Sequence, residues 1–212
     1  MVALAFSFSL FAYWALVGRA VLALACPRLG VLRPWLLAPG VGLALTIIGT
    51  TIVNQAGIPL RAGTWPLTAG LGLAALTTLF RLRTSIPRRP GAPFLLASIV
   101  CLVWTGWPAL VSGFKWISYS NDDMANYCLA AERFLATGFY SVPTMAELAG
   151  RDYASYYYFM HVADMMRHGA EHVVAWAAAL GGLKATQAFM PAILALTLTQ
   201  LFAAAEIGRA HV

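Results

Sequence analysis

No aspartate or glutamate occurs in the first 121 residues of the chain, and charged side chains make up only 10% of all 212. Soluble domains carry about 25% charged residues, so this scarcity excludes an ordinary soluble surface. Cysteine is sparse too: Cys26, Cys101 and Cys128 are too few and too scattered for a disulfide framework. No Lys or Arg precedes Arg19, so the basic start of a cleaved signal peptide is missing. Internal repeats and low-complexity tracts are also absent from the sequence. What the chain has in quantity is apolar side chains, 60% of the total. The nine Lys and Arg of residues 1–121 stand in short clusters between long apolar runs. A nucleic-acid-binding face would spread them, so no nucleic-acid partner is expected and the partner is a lipid bilayer.

A helix crosses roughly 30 Å of hydrocarbon with about 20 apolar residues. Stretches of about that length run from Val2 to Ala25, Trp35 to Ala56, Trp65 to Phe80, Pro93 to Val111 and Ala185 to Ala205, the third being the shortest. Trp35, Trp65, Trp104 and Trp107 lie near their ends, where indole rings favour the headgroup level. The expected fold is all-α: a polytopic transmembrane helical protein of about five spans, with an extracytoplasmic loop containing amphipathic surface helices.

Orientation follows from the connectors, because Lys and Arg of short loops stay on the cytoplasmic side. Arg28 and Arg33 mark the first connector, and Arg81, Arg83, Arg88 and Arg89 the third, against Arg61 alone in the second. The N-terminus and the stretch from Ser112 to about Lys184 are therefore expected outside. Arg19 falls inside the first span, close enough to its inner end to snorkel. Three regions are expected: a three-span part over 1–92, a core over 93–205 made of a span, an outer loop and a span, and a tail over 206–212. That tail, Glu206 to Val212, matches the in-frame translation of a common short-read sequencing adapter, so the chain reads as the N-terminal fragment of a longer protein.

All eight acids lie in residues 122–212. About 70 residues between two spans is too long for a structureless link, so folded elements are expected there. Ser120 or Asn121 can cap a helix running to about Ala136, with Gly138 as its stop. Its apolar positions Met124, Tyr127, Cys128, Ala131, Phe134 and Leu135 recur at three and four residues, and it would rest on the membrane surface. Asp122 and Asp123 fit two readings. Acids in a first turn are favoured by the helix dipole, by roughly 0.3 to 1 kcal/mol. Adjacent carboxylates also repel, which raises one pKa and suits the pair to proton transfer or to sharing a divalent cation.

The residues Asn121-Asp122-Asp123, Asn126-Tyr127, Ala130-Ala131-Glu132-Arg133, Gly138-Phe139-Tyr140 and Pro143 resemble the first extracytoplasmic loop of the GT-C superfamily of membrane glycosyltransferases. The resemblance covers about Pro93 to Pro143. It implies transfer of a sugar from a polyprenyl-phosphate carrier to an extracytoplasmic glycan, lipid or protein acceptor, by an integral protein of the bacterial inner membrane. It also implies that Asp122 and Asp123 are catalytic and that Asn126, Tyr127, Arg133 and Tyr140 contact substrate. Matching the stretch on Tyr127 puts Asp123 at the family's catalytic position, and matching the acid pair puts Asp122 there, so the base is either one. Three spans precede the one leading into this loop, where better-known members have one.

Tyr153, Tyr156, Tyr157, Tyr158 and Phe159 form an aromatic patch, which suits an interfacial belt more than a sugar-lining wall. From Phe159 to about Leu180, apolar positions make a helical stripe opposite His161, Asp164, His168, Glu171 and His172. The expected role of that second face is to meet water. The alternative is a metal site, because His168-Gly169-Ala170-Glu171-His172 matches H-x-x-E-H, the inverted zinc-peptidase motif. A zinc-dependent membrane peptidase and a non-catalytic membrane subunit or transporter are therefore the competing functional readings.

Overall fold

The computed structural model describes residues 1–27, 32–83, 92–117, 123–159 and 168–209, without the side chains of 92–95, 123 and 209. Among them are nine α-helices and no strand. In chain order these are α1 (Val2–Ala25), α2 (Leu32–Gln55), α3 (Leu60–Arg81), α4 (Ala92–Ser112), α5 (Asp123–Ala136), α6 (Met145–Ala149), α7 (Tyr153–Tyr157), α8 (Gly169–Gly181) and α9 (Ala185–Arg209). Four stretches are long and apolar enough to cross a bilayer: Val2–Ala25, Leu32–Gln55, Leu96–Lys115 and Ala185–Gly208. The protein is an all-α polytopic membrane protein. α3, at the third expected span, has 22 residues, but Thr and Gly dilute its apolar character and it is not one of the four.

The chain gathers into two compact units. One holds Met1–Thr46, Ala69–Phe114 and Ile193–Val212, and the other Ile47–Thr68 and Lys115–Ala192, so that α2, α3 and α9 each contribute residues to both.

In the first unit, α1 and α2 meet backbone to backbone. A Cβ on Gly18 would collide with the Ala38 carbonyl, and one on Gly42 with the backbone at Trp14. Small residues of this kind let membrane helices approach where lipid supplies no hydrophobic drive. Val17, Ala20 and Ala75 form a buried cluster, with Tyr13, Leu16, Leu45, Leu71 and Leu79 packed around it. Hydroxyls are satisfied within their own helices: Ser7 donates to the Ala3 carbonyl (3.0 Å), Thr46 to Gly42 (2.9 Å) and Thr105 to Cys101 (2.7 Å). Without water to receive them, folding back onto the preceding turn is the available solution. Arg19 is only 7% exposed, and its guanidinium lies over the Trp35 ring, 5.8 Å from the centroid.

In the second unit, α5 is the central helix and packs against α7 and α8. It buries Met124, Cys128, Ala130, Ala131, Phe134 and Leu135, close to the expected stripe, with Tyr127 half-buried. Two short helices follow. Thr144 caps α6 in a reciprocal arrangement with Glu147, and the Asp152 side chain caps α7 by accepting from the Ala154 N–H at 3.1 Å. α8 is buried continuously from Glu171 to Ala178 and stops at Gly182, whose φ of 61° is left-handed. The water-facing side expected for this stretch is thus corrected for Glu171 and His172, which are 4% and 1% exposed. His161 and Asp164 lie outside the described residues.

Candidate functional site

α5 carries most of the residues singled out by sequence. It opens at Asp123, whose side chain is outside the described set, as is all of Asp122. Asn126 and Tyr127 follow three and four positions later, so they share a helix face with Asp123. Both are half-buried, and the Tyr127 ring stacks on Phe189 with centroids 6.2 Å apart.

The remaining two lie elsewhere. Arg133 is ten residues further on, about 15 Å along the axis at 1.5 Å per residue. Its guanidinium is buried and committed to the fold: it donates to the Ser155 hydroxyl and the Ser141 carbonyl, both at 2.8 Å, and to the Glu147 carboxylate at 3.4 Å. It also lies 5.8 Å from the Tyr158 ring centroid. Arg133 therefore ties α6 and α7 to α5. Tyr140 is exposed and meets Phe139 edge-on, beyond the C-terminal end of α5. The structure keeps Asp123, Asn126 and Tyr127 at one end of α5, and Arg133 and Tyr140 at the other.

Three side chains outside the expected site residues complete this frame. Asn54, fully buried at the end of α2, donates its amide to the carbonyls of Thr137 (2.9 Å), Ile58 (3.2 Å) and Phe134 (3.4 Å). Its backbone carbonyl accepts from the Phe139 N–H at 2.9 Å. Beside it, Gly57 and Gly138 approach so closely that a Cβ on Gly138 would lie 2.6 Å from the Gly57 Cα. Glu132 accepts from the Ala185 N–H at 2.7 Å, which satisfies a free amide at the start of α9. The third is Tyr157, whose hydroxyl is pushed up to about 12 by burial, with Glu171 and then Tyr127 adding in the same direction. The only sequence signal for Asn54 was the amide pair Asn54-Gln55 at the end of an apolar run.

The histidine motif forms a buried cluster. His172 stacks on Phe134 at 4.5 Å, and Phe134 in turn stacks on Phe139 at 5.6 Å. The His172 Nδ1 lies 2.6 Å from the His168 carbonyl oxygen. A carbonyl can only accept, so Nδ1 carries the proton. Nε2 has no hydrogen-bond partner among the described residues. Burial holds the His172 pKa down at about 4, which keeps the ring neutral. Burial also raises the Glu171 carboxyl above the usual carboxylate range. His168 stands at the cap of α8, its Nδ1 4.0 Å from the Glu171 carboxylate. Among the described residues, no three His, Cys, Asp or Glu are grouped to hold a metal ion. Cys128, pushed up to about 12 by burial and then by Glu132, is an inert thiol.

No family model, no curated protein and no solved structure matches the chain. Function has to be argued from the residues themselves.

Proposed function

We propose that the protein is a membrane glycosyltransferase of GT-C type, which moves a sugar from a polyprenyl-phosphate carrier to an acceptor outside the cytoplasm. The observation that carries this reading is the position of α5. It opens at Asp123, only eight residues past the apolar stretch that ends at Lys115. An acid pair there meets a lipid-borne head group at the depth where it is presented. One carboxylate, Asp122 or Asp123, takes the acceptor's hydroxyl proton as that oxygen attacks the sugar carbon. The phosphate leaves as an already acidic group and needs no strong general acid. The second carboxylate orients the acceptor or shares a divalent cation. Asn126 and Tyr127, one turn along, border the same place.

A bacterial inner-membrane location, with the acidic loop outside, belongs to the same proposal. The hydrogen bonds of Asn54 join the α2–α3 connector to the end of α5. Both therefore lie on one side of the bilayer, and an even number of crossings separates them. Since α4 is an apolar span, α3 crosses as well despite its Thr and Gly. Arg28 and Arg33, and likewise Arg81, Arg83, Arg88 and Arg89, then fall on the opposite, cytoplasmic side.

The test is to make Asp122→Asn and Asp123→Asn separately and to measure sugar transfer from a polyprenyl-phosphate donor. Loss of a general base lowers turnover about 10²- to 10⁴-fold. If both variants transfer at the parental rate, the proposal fails.

A further inference from the structure

Between Gly138 and Phe159 the second unit exposes apolar and aromatic side chains that nothing in the proposed chemistry uses. Tyr140, Val142 and Met145 are 62%, 63% and 80% exposed, and Tyr153 on α7 is 66% exposed. They belong to one ordered layer, because Arg133 holds Ser141, Glu147 and Ser155 around a single guanidinium. At its surface these large apolar side chains stand among the exposed Ser141, Thr144, Arg151 and Asp152, a mixed apolar and polar face.

The layer is continuous with the connector that follows the apolar helix α2. Gly138 lies against the Gly57 backbone and Phe139 bonds to Asn54. Next to Gly57 comes Ile58, 45% exposed, and Trp65 at the start of α3 is 58% exposed. Ile58 and Tyr140 therefore flank one backbone crossing, at the level where the α2–α3 connector leaves the membrane.

We propose that this layer is a bilayer-docking surface: Tyr140, Val142 and Met145 seat in the headgroup region of the outer leaflet, with Tyr153 at the same level. The mixed apolar and phenolic chemistry fits that boundary, where a ring can be buried while its hydroxyl stays wet. The layer would hold α5 at a fixed height above the lipid, whatever reaction occurs there.

The test uses the full chain with Cys26, Cys101 and Cys128 replaced, carrying one spin label at Tyr140→Cys, Val142→Cys or Met145→Cys. It is placed in nanodiscs of phosphatidylcholine and phosphatidylglycerol. Each position is at least 62% exposed, so labelling leaves the packing intact. A label at Trp104→Cys, 82% exposed on α4, sets the lipid end of the scale, and free nitroxide in buffer the water end. Docking predicts an oxygen-to-nickel relaxation ratio at all three labels several-fold above that of the free nitroxide and below that at Trp104. A ratio equal to the free nitroxide's at all three positions would overturn the proposal. So would shielding from both reagents with dipolar broadening, the sign of a second copy covering the layer. Because no sugar transfer is measured, the result is independent of the glycosyltransferase reading.

Discussion

Asn54 and Arg133 each satisfy several backbone or side-chain groups from one buried position, and each should be intolerant of change. Asn54→Ala would leave the Thr137, Phe134 and Ile58 carbonyls without their donor. A buried acceptor left bare costs about 1 to 3 kcal/mol, and the bonds to the Ile58 and Thr137 carbonyls are only part-buried, so part of that is recovered. A loss of about 2 to 3 kcal/mol is expected in reversible unfolding in detergent; a loss under about 0.5 kcal/mol would show that the amide is dispensable. Arg133→Lys keeps the charge but not the planar fork, so one ammonium cannot reach Ser141, Glu147 and Ser155 together. We expect a loss of about 1 to 3 kcal/mol, with protease cutting first between Ser141 and Tyr156. The Arg133 outcome was hidden in the sequence because an arginine on a polar-looking helix face reads as solvent- or phosphate-facing. Its three partners lie up to 22 residues away, Ser141 outside any helix and Glu147 and Ser155 in helices of five residues, too short to announce themselves by periodicity.

At the scale of the helix, α5 was legible and α8 was not. Met124, Cys128, Ala131, Phe134 and Leu135 recur at helical spacing, and all are buried. In α8 the pattern suggested one wet face, yet Glu171 and His172 are enclosed, because Phe134 and Phe139 of other elements cover that side. Propensity and period cannot report a neighbour that arrives from another part of the chain. Enclosure gives α8 opposed pH dependences. His172 has a folded pKa of about 4 against 6.5, so the unfolded chain binds more protons between those values and stability falls as pH drops through that window. Glu171 is raised, so the folded chain holds the proton longer, and stability falls instead as pH rises above 4.5. Glu171→Gln removes the second effect alone. The variant should melt higher than the parent at pH 7.5 and lose stability more steeply between pH 6.5 and 4.5. Parallel melting curves at every pH would show that Glu171 is not effectively buried.

For the whole molecule, the proposed topology puts Cys26 and Ala56 on opposite sides of the bilayer. Both are exposed in their connectors. In intact bacteria a membrane-impermeant maleimide should label Ala56→Cys directly and reach Cys26 only after permeabilisation; the reverse pattern would invert the topology. The apolar helices were readable because apolar runs are local features, and four of the five expected stretches are long and apolar enough to cross a bilayer. The chemistry at Asp122 and Asp123 rests on a short pattern of residues, and the transfer assay decides it.

The crossing of Gly57 and Gly138 also has a consequence in time. Asn54 and Thr137 are 83 residues apart in sequence, so the α2–α3 hairpin is synthesised long before its partner exists. At about 5 to 20 residues per second, the Asn54 amide waits roughly 4 to 17 seconds for the carbonyls it will serve. In the middle of a bilayer such a wait would leave polar groups in hydrocarbon and favour misassembly. At the membrane surface water can stand in for the missing partner, and a connector made early can wait there without harm for a loop made late.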